Sequence, residues 1–90
     1  MKKLLFIGGN GALGVYLTEE ALKAGYKVDV LCLENEKSDN ENLSFIQHDG
    51  KDYEFLSELM KNKYDAIVDF MIYQSVEEYS PFADLYMKNT

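Results

Sequence analysis

Lys3-Leu4-Leu5-Phe6-Ile7-Gly8-Gly9-Asn10-Gly11-Ala12-Leu13-Gly14 is the stretch whose reading decides the fold. The apolar run Leu4 to Ile7 predicts a strand buried on both faces. A glycine-rich turn follows, and from about Ala12 the apolar residues take up helical spacing. Gly8 and Gly9 stand where the backbone must leave the strand in a tight turn, a place that favours residues free of a Cβ. Gly11 presents no side chain ahead of the helix, and Gly14 allows helix and strand to pack closely.

Strand, glycine turn and helix in that order form the context in which such spacing holds the pyrophosphate of a dinucleotide. The first N–H groups of a helix lack partners, and the positive end of the helix dipole favours an anion. The plainer alternative is a strand–turn–helix whose glycines serve packing only.

Outward from this stretch, Leu13, Leu17, Ala21 and Ala24 fall on one helical face, and Gly25 stands where a C-terminal cap belongs. Lys27 to Leu33 reads as a second strand. Strand, helix and strand make a right-handed βαβ unit with parallel pairing. Glu34 to Asn42 contains no apolar residue and reads as a solvated loop. Leu43 to Gln47 is a short third strand, and His48-Asp49-Gly50 is a turn. A helix is expected from Asp52, its N-cap, to Asn62, with Phe55, Leu56, Leu59 and Met60 on one face. Asp65 to Tyr73 reads as a fourth strand, and Ser80-Pro81 as the start of a last helix carrying Phe82, Leu85 and Tyr86.

Ninety residues make one domain, 1–90, able to bury a modest core. Hydrophobic content of 47% with 28% charged residues is globular composition. The net charge of −7 argues against a nucleic-acid or anionic-membrane partner. The single cysteine, Cys32, excludes an internal disulfide and suits a reducing cytoplasm; it is read as a small buried hydrophobe. No apolar run approaches the ~20 residues of a membrane span, and the first strand begins too early for a signal peptide. A soluble, cytoplasmic chain is expected. His48 has no Cys or His partner at metal spacing, and the turn lacks the Gly-Lys-Ser/Thr ending of a triphosphate loop, so no metal site is assigned.

The order of strand, Gly8-Gly9-Asn10-Gly11-Ala12-Leu13-Gly14, helix, Gly25-Tyr26-Lys27-Val28-Asp29-Val30-Leu31 and Ala66-Ile67-Val68-Asp69-Phe70 resembles the NAD-dependent epimerase/dehydratase family, the extended short-chain dehydrogenases/reductases. The similarity covers essentially the whole chain, as the N-terminal part of such a protein. It implies a Rossmann-type doubly wound parallel sheet, here partial, with four strands in order 3-2-1-4 and helices on both faces. It also implies NAD or NADP as cofactor. Asn10, Gly11, Ala12 and Leu13 would line the pyrophosphate between Gly8 and Gly14 of the cofactor-binding fingerprint, and Glu34 would reach the ribose where the strand end bends. Asp49 would meet the adenine, and Phe70, Met71 and Ile72 would pass the ribose and pyrophosphate. Asp49 reads equally as a turn residue.

Two positions depart from the family pattern. Where an acidic residue should close the second strand and hold the ribose 2′-OH, this chain has Cys32 and Leu33; Glu34 follows two residues on, leaving NAD against NADP open. The family's catalytic tyrosine, four residues before a lysine, has no counterpart, since none of the seven tyrosines has lysine at i+4. The chain therefore reads as a cofactor-binding part of an epimerase, dehydratase or reductase acting on a nucleotide-sugar or similar small substrate by hydride transfer, not itself competent for catalysis, with no catalytic residue assigned. The alternative is a complete small nucleotide-sensing or protein-interaction module. The apolar fourth strand, exposed along its outer edge, is expected to pair two copies as a homodimer or to aggregate.

Overall fold

The structure, a computed structural model, describes residues 2–8, 11–71 and 73–90. The chain runs β1 (Lys3–Ile7), α1 (Ala12–Lys23), β2 (Lys27–Cys32), β3 (Leu43–Gln47), α2 (Tyr53–Leu59), a 3-10 turn (Met60–Asn62), β4 (Ala66–Asp69) and α3 (Val76–Asn89). The strands form one parallel sheet in the order β3-β2-β1-β4, as the family resemblance implies. Gly9, Asn10 and Ile72 lie outside the described residues.

Alternation along the strands divides the core in two. Leu5 and Ile7 of β1 and Leu31 of β2 face Leu56, Leu59, Phe82, Leu85 and Tyr86 of α2 and α3. Phe6, Val28 and Val30 turn to the other face, where Ala21 of α1 covers them. Leu5, Ile7, Leu31 and Leu56 are wholly buried. Each such side chain contributes about 1.5–3 kcal/mol of burial, upper values because the unfolded chain is itself partly collapsed. β1, flanked on both sides, is thus the centre of the sheet and ends at the glycine turn.

Several local expectations hold. Asp52 caps α2, its side chain accepting the Phe55 N–H. Gly25, at φ +91°, closes α1: its N–H bonds the Leu22 carbonyl and the Tyr26 N–H reaches Ala21. These paired bonds satisfy two of the carbonyls that a helix end would leave orphaned. Cys32 is a free, buried thiol.

Other boundaries differ. Of the expected inner face of α1, Ala21 is buried and Leu17 packs against the core on that side, whereas Leu13 is 62% exposed and Ala24 lies at the surface; Gly14 and Thr18 complete the buried stripe. Small residues let this helix approach the sheet, so the inner face departs from the expected one at Leu13 and Ala24 only. β2 stops at Cys32, and Leu33 is exposed. The helix expected over 52–62 is α2 followed by the 3-10 turn, which ends at Lys63 with φ +56°. β4 covers only Ala66–Asp69; just past it Phe70 still donates its N–H to the Ile7 carbonyl at 2.8 Å and packs edge-to-face on Phe6 at 5.9 Å. α3 begins at Val76, with Ser75 as the N-cap accepting the Glu78 N–H at 3.1 Å, so Ser80 and Pro81 lie inside the helix.

Candidate functional site

Parallel pairing places the C-terminal ends of all four strands on one side of the sheet, where open α/β sheets hold their ligands. Gly8, the first residue past β1, adopts φ +74° and donates its N–H to the Leu31 carbonyl at 2.6 Å. The positive φ favours glycine; a Cβ there would lie 2.9 Å from Met71 Sδ, on a flexible side chain that can shift. Gly11 is the N-cap of α1 in extended conformation, and a Cβ built on it meets nothing within 4 Å.

The three α-helices start differently. Asp52 caps α2 and Ser75 caps α3 with side-chain oxygens, and both helices carry glutamate in the first turn. α1 has neither: Gly11 has no side chain to offer, and no acidic residue occupies the first turn. Its leading N–H groups and positive dipole end therefore face the strand ends with open space beside them, which suits an anion. The pyrophosphate of a dinucleotide fits this cradle, which a side chain at position 11 would fill. Ala12 and Leu13 are exposed beside it, and Gly14 is buried against the sheet.

A cleft of about 170 Å³ opens next to this turn, lined by Gly8, Leu31, Cys32, Leu33, Glu34, His48, Gly50 and Met71. It gathers residues from the ends of β1, β2, β3 and β4. Its size, below the ~300–1,000 Å³ of a drug-sized site, suits one ring of a ligand and not a whole dinucleotide. Burial, with Glu34 and Glu36 nearby, pushes the Cys32 thiol above its usual range, keeping it neutral. The Cys32 thiol donates to the Glu34 carbonyl at 3.4 Å, and the His48 N–H to the Cys32 carbonyl at 2.9 Å.

Of the residues singled out in the sequence, Gly8, Glu34 and Met71 meet in this cleft, and Gly11 to Gly14 form the helix start beside it. Phe70 joins the core cluster under α1. Asp49 is exposed, and its Oδ1 accepts the Lys51 N–H at 2.9 Å, the turn role its sequence allows.

His48 and Gly50 were not singled out for the site. A Cβ on Gly50 would meet Ile7 Cγ2 at 2.8 Å and Met71 Sδ at 3.0 Å. The signal for this position was the Asp49-Gly50 pair just after a strand. The His48 ring stacks on Phe55 at 3.7 Å between centroids, and its Nε2 lies 2.8 Å from Asp52 Oδ2. That bond, with the Phe55 N–H, holds the Asp52 carboxyl below its ordinary range.

A second, more open groove of about 510 Å³ lies past the end of β4, lined by Asp69, Met71, Tyr73, Gln74, Ser75, Val76 and Tyr79. Asp69 accepts from the Tyr73 hydroxyl at 2.5 Å and from the Met71 N–H at 2.8 Å, tying down the segment that borders both cavities.

Residues 4–90 match the model of the NAD dependent epimerase/dehydratase family, and the chain belongs to that family. Among solved structures it is similar to a putative epimerase from Bacteroides thetaiotaomicron, with 27% identity, a TM-score of 0.81, and coverage of 98% of this chain and 43% of that one. It is also similar to the Bordetella bronchiseptica enzyme WbmH, solved with NAD+, at 22% identity and TM-score 0.78, over 99% of this chain and 36% of the other. The UDP-Glc/GlcNAc 4-epimerase of Campylobacter jejuni aligns at 26% identity and TM-score 0.67, over 99% of this chain and 30% of its own length. The chain thus spans less than half the length of these relatives. No match was found among curated proteins. Among the described residues, no helix is long and apolar enough to cross a membrane.

Proposed function

We propose that this chain binds NAD or NADP at the C-terminal edge of its sheet, as the cofactor-binding part of a cytoplasmic epimerase, dehydratase or reductase. The observation that carries this reading is the start of α1: no side-chain cap at Gly11, no carboxylate in the first turn, and open space ahead of it. Asn10, Gly11, Ala12 and Leu13 line the pyrophosphate on this reading, with Gly8 making the turn and Gly14 letting the helix pack close. Glu34 and Asp49 serve the adenosine end, and Phe70, Met71 and Ile72 border the path beyond. A nucleotide-sugar substrate for the whole protein is supported by the likeness to the Campylobacter jejuni UDP-Glc/GlcNAc 4-epimerase. The tyrosine–lysine pair of the family does not occur in these 90 residues, so the chain contributes cofactor binding and no proton-transfer group.

Calorimetric titration of the chain with NAD+, NADP+ and ADP-ribose tests the reading. Saturable one-to-one binding of at least one supports it; a folded chain that binds none overturns it. We also infer pairing of two copies through the outer edge of β4, which no described strand covers and where Ala66 and Val68 are exposed. Light scattering over a dilution series checks this, and a monomer at every concentration contradicts it.

A further inference from the structure

We propose that the Met71 side chain is a movable partition in the ligand crevice, which makes the site select by ligand length. It closes the passage between the cleft at the end of β2 and the groove past β4, and it swings aside when a whole dinucleotide lies across both. The inference rests on the dinucleotide reading above and deepens it.

The strand order β3-β2-β1-β4 puts the switch point between β1 and β4, where the chain has built outward on one side of β1 and then crosses to the other. Open α/β sheets hold their ligands in the crevice at such a point. α1 follows β1 directly, so a pyrophosphate on its leading N–H groups sends one arm toward β2 and the other toward β4. A cavity stands on each side. The cleft of about 170 Å³ opens against Leu31, Cys32 and Leu33, and the groove of about 510 Å³ against Asp69, Tyr73 and Tyr79. Among the described residues, Met71 alone lines both.

Its backbone is pinned and its side chain is not. The Met71 N–H donates to Asp69 Oδ1 at 2.8 Å, and Asp69 Oδ2 accepts from the Tyr73 hydroxyl at 2.5 Å, which fixes where the side chain begins. From there the thioether runs back over the strand ends. Its Sδ lies 2.9 Å from the place of a Cβ on Gly8, after β1, and 3.0 Å from that of a Cβ on Gly50, after β3. Two glycines thus leave the room that the sulfur fills. Methionine, unbranched and with three rotatable bonds, fills such a gap and can also leave it. A ligand that ends at its second phosphate needs only the cleft and the helix start. One that carries a second nucleoside has to pass Met71. With the open arrangement populated at about 10%, the longer ligand binds about tenfold more weakly than it would to an open crevice.

The test compares NAD+ with ADP, which has the adenosine and both phosphates but no second nucleoside, by calorimetric titration of wild type, Met71→Ala and Met71→Leu. The NAD+/ADP affinity ratio is expected to rise about tenfold in Met71→Ala, as the tax of the closed arrangement is removed. Met71→Leu, of similar bulk, is expected to raise it less than alanine does. Should the alanine chain not fold, Met71→Val, which lacks the sulfur atom beside Gly8 and Gly50, is read in its place and the same rise is expected. A ratio that stays level or falls in the shortened variant overturns the inference, as does an equal rise with leucine. Failure of a folded wild type to bind either ligand overturns the dinucleotide reading, and this inference with it.

Discussion

Tyr64 donates its hydroxyl to Asp29 Oδ2 at 2.6 Å, joining the segment after α2 to the middle of β2 beneath the α2/α3 layer. Asp29 stands between Val28 and Val30 and points to the opposite face, where it is buried. A carboxyl group in that place needs a partner, and the tyrosine supplies it. Tyr64→Phe keeps the ring and removes the donor, leaving a buried acceptor unsatisfied. It is expected to cost about 1–3 kcal/mol, read as a lower urea midpoint at unchanged slope.

Alkali should unfold the protein through the same kind of group. Burial and the Asp29 hydrogen bond push the Tyr64 hydroxyl far up, and burial with Asp69 nearby does the same for Tyr73 and Tyr86. In the unfolded chain tyrosines lose protons at about pH 10. Above that pH the unfolded state binds fewer protons than the folded one, so stability present below pH ~10 falls as pH rises. Chemical denaturation at pH 8, 9.5 and 11 checks this. Stability that is unchanged at pH 11 contradicts it.

The acid limb has the opposite sign. The His48 hydrogen bond lowers the Asp52 carboxyl, and Lys51, 2.7 Å away, lowers that of Glu78. Their contribution is present above the ordinary carboxylate range and is lost as pH falls through their lowered values. Both groups keep a third or more of their side chains in solvent, so the effect is small and should weaken further in salt. Melting temperature measured at pH 3–6 in low and high salt is the check.

Helix α3 offers a sharp contrast between two serines. Ser75→Ala removes the cap of α3 and is expected to destabilise by about 0.5–2 kcal/mol. Ser80→Ala, at an exposed position inside the same helix, is expected to stay within about 0.5 kcal/mol. Equal effects in thermal denaturation would contradict the helix start described above.

How far the sequence could be read depends on where each constraint lies. β1, β3, the Asp52 cap and the Gly25 cap were legible because their causes are local: apolar runs, a capping side chain, a glycine at positive φ. The end of β4 was not, because the apolar run continues past the ladder while Phe70 packs on Phe6 and Met71 folds back toward Gly8 and Gly50. Ser80-Pro81 outweighed Ser75 on pattern, although Ser75 with Glu78 already forms an N-cap pair with the right spacing. In the cleft, Gly8 and Glu34 could be read from motif spacing. The roles of His48 and Gly50 depend on Asp52, Phe55, Ile7 and Met71, contacts that only the folded chain brings together.

The glycine at the start of α1 gives the most direct test of nucleotide binding. Serine is a good N-cap, and a side chain at position 11 meets no protein atom, so Gly11→Ser should keep or slightly raise thermal stability. The same side chain occupies the open space before the first helical N–H groups. Calorimetric titration with ADP-ribose should show saturable binding to the wild-type chain and at least a tenfold loss in Gly11→Ser at equal stability. Equal binding by both chains, or none by a folded wild type, would contradict the account.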